Sequence, residues 1–189
     1  MNHILLATSL ILSSAVFATA PTRFPTLGSK DAPVTIIGFI DYQCPFAKAA
    51  SGTMDQLLAQ NEGRIQIVYL NLPLSFHADA KPAAIAAFCA HDQDKFKGMH
   101  DYLFANQQNL RRSLYIGFAL DNGYNMDAFE ACLEAPETAA TIQFDLDDAA
   151  AMRANATPTF FFASDSEIRK VVGAANLGDY QKVVDELSK

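Results

Sequence analysis

Residues 34–40 read VTIIGFI, a nearly continuous apolar run with several β-branched positions, which predicts a strand buried on both faces. From Pro45 the pattern changes: Met54, Leu57 and Leu58 recur at helical spacing and the segment ends near Asn61 and Gly63, giving a helix of about four turns. RIQIVYLNL (Arg64 to Leu72) returns to strand character, so the opening is a βαβ unit with two parallel strands. The middle of the chain is helical. Ile85, Phe88 and Cys89 share one face; Phe96, Met99, Leu103 and Phe104 share another; Phe129, Cys132 and Leu133 share a third. Together with RRSLYIGFALDNG, these stretches predict a compact helical subdomain over about 81–153. Then TFFFA (Thr159 to Ala163), a Ser164-Asp165-Ser166 turn and EIRKVVG (Glu167 to Gly173) predict a hairpin. Leu177, Tyr180, Val184 and Leu187 form the stripe of a closing amphipathic helix. The order is βαβ, helical insertion, ββα, within one α/β domain over 34–188, and the Pro-, Gly- and Ser-containing stretch 21–33 is an extended lead-in.

The first twenty residues change the picture of where the protein works. An uncharged apolar run from Ile4 ends in Ala18-Thr19-Ala20, the small-x-small pattern of signal-peptide cleavage, so 1–20 reads as a secretory signal. Its leading segment lacks Lys and Arg, which keeps an uncleaved anchor as the alternative; the run is short for a span, which needs roughly 20 apolar residues. No other segment could cross a membrane. The remainder of the chain is long enough for one well-buried domain. Half of the residues are hydrophobic, which suits a sizeable core, and the net charge of −7 argues against a nucleic-acid or anionic-membrane surface. Arg111-Arg112 is the one basic cluster of note and reads as a solvated loop end.

The candidate chemistry centres on DYQCPFAKA. Cys44 falls where the first strand gives way to the first helix, with Pro45 at the favoured first helical position. Its sulfur is expected to face the free N–H groups of Phe46 and Ala47 at the positive end of the helix, an environment that stabilises a thiolate. Against this stands the tendency of a free cysteine to pack as a small buried hydrophobe. Far along the chain, Thr157-Pro158 precedes an apolar strand that this element order sets beside the first, and X-Pro is the bond that tolerates the cis form cheaply.

On DYQCPF, LPLSFHADAKPAA, KFKGMHDYLFANQ and ATPTFFF, the chain resembles the DsbA-like thiol–disulfide oxidoreductases over nearly its whole mature length, about Ala32 to Leu187. The resemblance implies a thioredoxin-like fold with an inserted helical subdomain. It further implies Cys44 as the exchanging cysteine, Pro45, Phe46 and position 47 as shapers of the active site, and Thr157-Pro158 as a platform for an extended substrate peptide. The implied partners are peptide segments of exported client proteins, with glutathione or a redox protein as further thiol partners; no cofactor and no nucleic acid is implied, and the compartment is periplasmic or otherwise exported. One position departs from the pattern. Ala47 stands where the family carries a second, resolving cysteine, and exchange needs such a thiol to release a mixed disulfide. Three readings survive: a monothiol exchange protein, a dithiol oxidase whose resolving cysteine has been replaced, and a degenerate member keeping only the peptide-binding or chaperone-like groove. A glutathione-using transferase or isomerase on a related fold fits the export signal less well.

Cys89 and Cys132 sit on apolar helical faces, and an exported compartment permits their pairing. Joined, they would close a loop worth about 4 kcal/mol in the chain-entropy treatment; two buried thiols and pairing with Cys44 are the alternatives. His77 follows the second strand and is a candidate modulator of the thiolate or an ordering residue of its loop. Asp41 would oppose a thiolate by like charge or simply end the strand, the second being favoured. His91 and His100 lack metal-ligand spacing, so no metal site is expected. Asp145, Asp147 and Asp148 read as a solvated helix face.

Overall fold

The computed structural model describes residues 24–189; the proposed signal, residues 1–20, and the first three residues of the lead-in lie outside the described residues. Among the described residues, five strands and seven helices run in the order β1 (Thr26–Gly28), β2 (Val34–Ile40), α1 (Pro45–Gln60), β3 (Ile65–Asn71), α2 (Ala80–His91), α3 (Phe96–Ala105), α4 (Arg112–Asp121), α5 (Met126–Glu134), α6 (Pro136–Ala151), β4 (Thr159–Ala163), β5 (Ile168–Val172) and α7 (Leu177–Leu187). The sheet order is β1-β3-β2-β4-β5, with β2 and β3 parallel and the other pairs antiparallel. This is a thioredoxin-like α/β fold with helices α2 to α6 between its two halves.

Alternation along the central strands explains why both faces of the sheet are covered. Val34, Ile36 and Ile40 of β2, Ile65, Ile67 and Tyr69 of β3, and Phe160 and Phe162 of β4 enter one core with Met54 and Leu57 of α1 and Tyr180 and Val184 of α7. The intervening Phe39, Leu70 and Phe161 enter a second core beside Ala149 of α6. At Gly38 the central strand meets Phe160 so closely that a Cβ would lie 2.8 Å from its ring, and only glycine fits there without a shift.

Two features differ from the sequence reading, and a third, the burial of His100, was not addressed by it. The lead-in contains β1, whose three residues pair with β3 in the register Thr26↔Val68; so short a segment has too little alternation to declare itself. The acidic run lies on α6, but Asp145 is not solvated. It is 3% exposed, and its Oδ2 accepts hydrogen bonds from the backbone N–H (3.0 Å) and side-chain amide (2.8 Å) of Asn71, so it anchors α6 to the end of β3. His100 is fully buried in α3, where its two ring nitrogens share hydrogen bonds of 3.0 Å with the hydroxyls of Tyr42 and Ser51.

Cys89 of α2 and Cys132 of α5 form a disulfide with Cα atoms 5.7 Å apart, pinning two helices of the insertion together. Cys44 is the free cysteine among the described residues.

Candidate functional site

The site is built where β2 ends. Asp41 terminates the strand, and its carboxylate Oδ1 accepts the N–H of Gln43 at 2.7 Å, forming a local turn of the kind short acidic side chains favour. The backbone carbonyl of Asp41 accepts from the N–H of Cys44 at 3.0 Å, and the carbonyl of Cys44 accepts the first helical bond, from Lys48, at 3.1 Å. Cys44 is therefore the N-cap of α1, in extended conformation, with Pro45 opening the helix where a missing N–H costs nothing.

The second half of the site arrives through the sheet. β4 pairs with β2 from Thr159 opposite Phe39, which brings the preceding Thr157-Pro158 peptide beside the end of β2. That peptide is cis. The Cys44 Sγ–H donates to the carbonyl oxygen of Thr157 at 3.2 Å, across 113 positions of sequence. Cys44 is 5% exposed, Ala47 is buried beneath it, and Phe46 projects outward at 64% exposure.

The sulfur was expected to face the first-turn N–H groups of Phe46 and Ala47. Instead it makes no cap hydrogen bond to α1 and points to Thr157. A protonated thiol is a donor, so it takes the nearby carbonyl rather than another donor. The Thr157 hydroxyl is buried beside this contact and has no hydrogen-bond partner.

A loop after β3 closes the third side. Asp41 is 1% exposed, and its Oδ2 accepts from the N–H of Leu74 and from Nδ1 of His77, each at 2.8 Å. Gln43 adds a second tie: its Oε1 accepts from the N–H of Asp79 at 2.6 Å. Asp41 thus does more than end the strand; it holds the 74–77 loop against the turn that carries Cys44. His77 is brought to Asp41 rather than to the sulfur, which favours its ordering role. Phe76, beside it, is 75% exposed.

The remaining candidates are dispersed. Cys89 and Cys132 bond to each other in the helical insertion. Arg111 caps α4, and Arg112 in its first turn pairs with Glu134 at 2.9 Å. No group of three or more metal-ligating side chains occurs among the described residues. Gln43, Phe76 and the buried Ser51 were not singled out by sequence reasoning. The partners of Gln43 and Ser51 lie 36 and 49 positions away, and no local spacing announces them.

A family model described as thioredoxin matches residues 21–186. Among solved structures, a thioredoxin-like oxidoreductase from Silicibacter pomeroyi DSS-3 superposes with a TM-score of 0.75 at 25% identity, covering 87% of this chain and 92% of the other. The thiol-disulfide exchange protein alpha-DsbA2 from Wolbachia pipientis gives a TM-score of 0.77 at 22% identity, with 88% of each chain covered. Among curated relatives, a Na(+)/H(+) antiporter NhaA from Herminiimonas arsenicoxydans is 34% identical over 134 residues, 71% of this chain and 21% of its own. The chain spans about a fifth of the length of the curated relatives it matches.

Proposed function

This chain belongs to the thioredoxin family, and from that membership we propose that it performs thiol–disulfide exchange on client proteins through Cys44 alone, in an exported compartment. The observation that carries the reading is the approach of Sγ to the Thr157 carbonyl at the head of α1. The sulfur is the free thiol of the described residues and stands between a helix N-terminus and a loop able to offer backbone groups to an extended peptide.

In the reaction, the Cys44 thiol loses its proton and the thiolate attacks one sulfur of a client or glutathione disulfide. A new S–S bond forms to Cys44 and the second sulfur leaves as a thiolate, so one disulfide is exchanged for another and no external oxidant is consumed. Deprotonation ends the bond to Thr157 and frees its carbonyl for an incoming peptide N–H. Ala47 offers no second thiol, so release waits for attack by an external thiol. No helix among the described residues is long and apolar enough to cross a membrane.

The test is intact mass spectrometry after incubation with glutathione disulfide. The wild-type chain gains one glutathione at Cys44 that an added thiol removes, whereas Ala47→Cys resolves the adduct into an internal disulfide. Failure of native Cys44 to form any adduct, together with an inert Ala47→Cys variant, refutes exchange and leaves a peptide-binding module. A second reading concerns the client: relatives named Na(+)/H(+) antiporter carry this domain as a minor part, so ion-transport proteins are the first class in which to seek Cys44 mixed disulfides.

A further inference from the structure

The stretch KFKGMHDYLFANQ, which forms α3 and the turn after it, has no part in the exchange described so far, yet two of its buried side chains reach the segment that carries Cys44. The ring nitrogens of His100 share hydrogen bonds of 3.0 Å with the hydroxyl of Tyr42, the second residue before Cys44, and with that of Ser51, in the second turn of α1. A neutral imidazole carries one donor and one acceptor, and a hydroxyl can play either part, so both bonds form in either tautomer. Rings of Tyr69, Phe96 and Phe104, with centroids 4.7, 5.0 and 5.0 Å away, pack around the imidazole and hold it in this bridging place. Gln107, also buried, adds a second hold, because its Nε2 donates to the backbone carbonyl of Tyr42 at 2.9 Å. On the outer side of α1, Lys48 Nζ donates at 3.4 Å to the carbonyl of Ala105, the last residue of α3.

We propose that His100 and Gln107 are positioning residues for Cys44: through them the helical insertion grips the chain on both sides of this cysteine and fixes where its sulfur stands. One imidazole bridges the end of β2 and the body of α1, and Cys44 is the N-cap between the two anchors. The loop after β3 ties Asp41 and Gln43, and the Thr157 carbonyl takes the thiol. Tyr42 is the residue of the turn that those bonds do not reach, and it is the one that His100 and Gln107 hold from inside. A nucleophile held in its reacting place before its partner arrives gains rate, and a small misplacement loses it. The consequence for exchange rests on the role proposed for Cys44, whereas the grip is a property of the backbone and is read separately.

The test uses Tyr42→Phe, Ser51→Ala and Gln107→Met in the full chain, each removing one hydrogen bond while keeping most of the packing; Ile142→Val, a mild core truncation on α6, is the control for lost stability. The rate of glutathione uptake at Cys44 is expected to fall about threefold to tenfold in each of the three and to stay at the wild-type value in the control. A bridge is broken by losing either end, so Tyr42→Phe combined with Ser51→Ala is expected to be no slower than the slower single variant, whereas two independent contacts would multiply. Amide hydrogen exchange is followed in the urea-independent regime, which reports local opening, at Cys44 and Lys48, whose N–H groups bond to the carbonyls of Asp41 and Cys44. It is expected to quicken about tenfold, since a bond that serves only the fold is lost alike from the closed and the locally open turn. Wild-type uptake rates in all three variants, an equal fall in Ile142→Val, a multiplicative double variant, or unchanged amide exchange at Cys44 and Lys48 overturns the proposal. A wild type that takes up no glutathione sinks the exchange reading instead, and the amide exchange at Cys44 and Lys48 then decides the grip on its own.

Discussion

Acid should unfold this protein through His100. The imidazole is completely buried, with rings of Tyr69, Phe96 and Phe104 at centroid distances of 4.7, 5.0 and 5.0 Å, and its nitrogens are engaged by Tyr42 and Ser51. Burial, and secondarily the charge of Lys97, pushes its pKa down to about 3. In the unfolded chain the same group titrates near its ordinary value of about 6.5. The folded pKa is the lower one, so the unfolded state binds the proton first. Stability is therefore fully present above about pH 6.5 and is lost as pH falls towards 3. Each unit in that window costs about 1.4 kcal/mol, so at about pH 4.5 the loss from this residue is about 3 kcal/mol. The assay is urea unfolding of wild type and His100→Asn at several pH values, since the variant shares every carboxylate but cannot titrate at this position. Wild type is expected to be the more stable near neutrality, with its advantage shrinking by about 3 kcal/mol at the acidic end. A stability difference independent of pH refutes the argument.

Two further perturbations test the packing and the staple. Replacing Cys89 and Cys132 together by serine is expected to cost about 4 kcal/mol in urea unfolding, because the link closes a 43-residue separation in the unfolded chain; exchange at Cys44 should persist, and loss of both would show that the helical insertion positions the site. Gly38→Ala is expected to lower stability by about 1–3 kcal/mol by forcing Phe160 from its place, and an unchanged denaturation midpoint would show that the ring moves aside freely.

The division between what could be read and what could not tracks the range of the information. β2, β3 and α1 declare themselves because burial on both faces demands VTIIGFI and IQIVYLN, and because a helix with one buried stripe repeats Met54 and Leu57 at its own period. The junction of Cys44 and Pro45 is local for the same reason. Polar burial leaves no such trace. Asp145 sits in an acidic run that any surface helix would carry, and its distinction is an acceptor role for Asn71, 74 positions away. His100 differs from an exposed histidine through the rings packed on it and through the hydroxyls of Tyr42 and Ser51, which lie 58 and 49 positions away in sequence.

The candidate site joins both kinds of information, and the sulfur's place depends on the second. Asp41, Gln43 and Cys44 lie within four residues, yet they are held by two distant segments: Asp41 by Leu74 and His77 and Gln43 by Asp79, all in one loop, and Cys44 by Thr157. The first two ties bring the loop after β3, and the third brings the loop before β4. With both present, the turn is fixed while Phe46 and Phe76 remain exposed around it. A surface that is rigid in its backbone and apolar in its outward side chains suits an extended peptide, which supplies its own hydrogen-bonding groups and loses less ordering free energy when its platform is already formed. The arrangement around Cys44 needs no sulfur at position 47, because the hydrogen bonds of Asp41 and Thr157 run to Gln43, Leu74, His77 and Cys44.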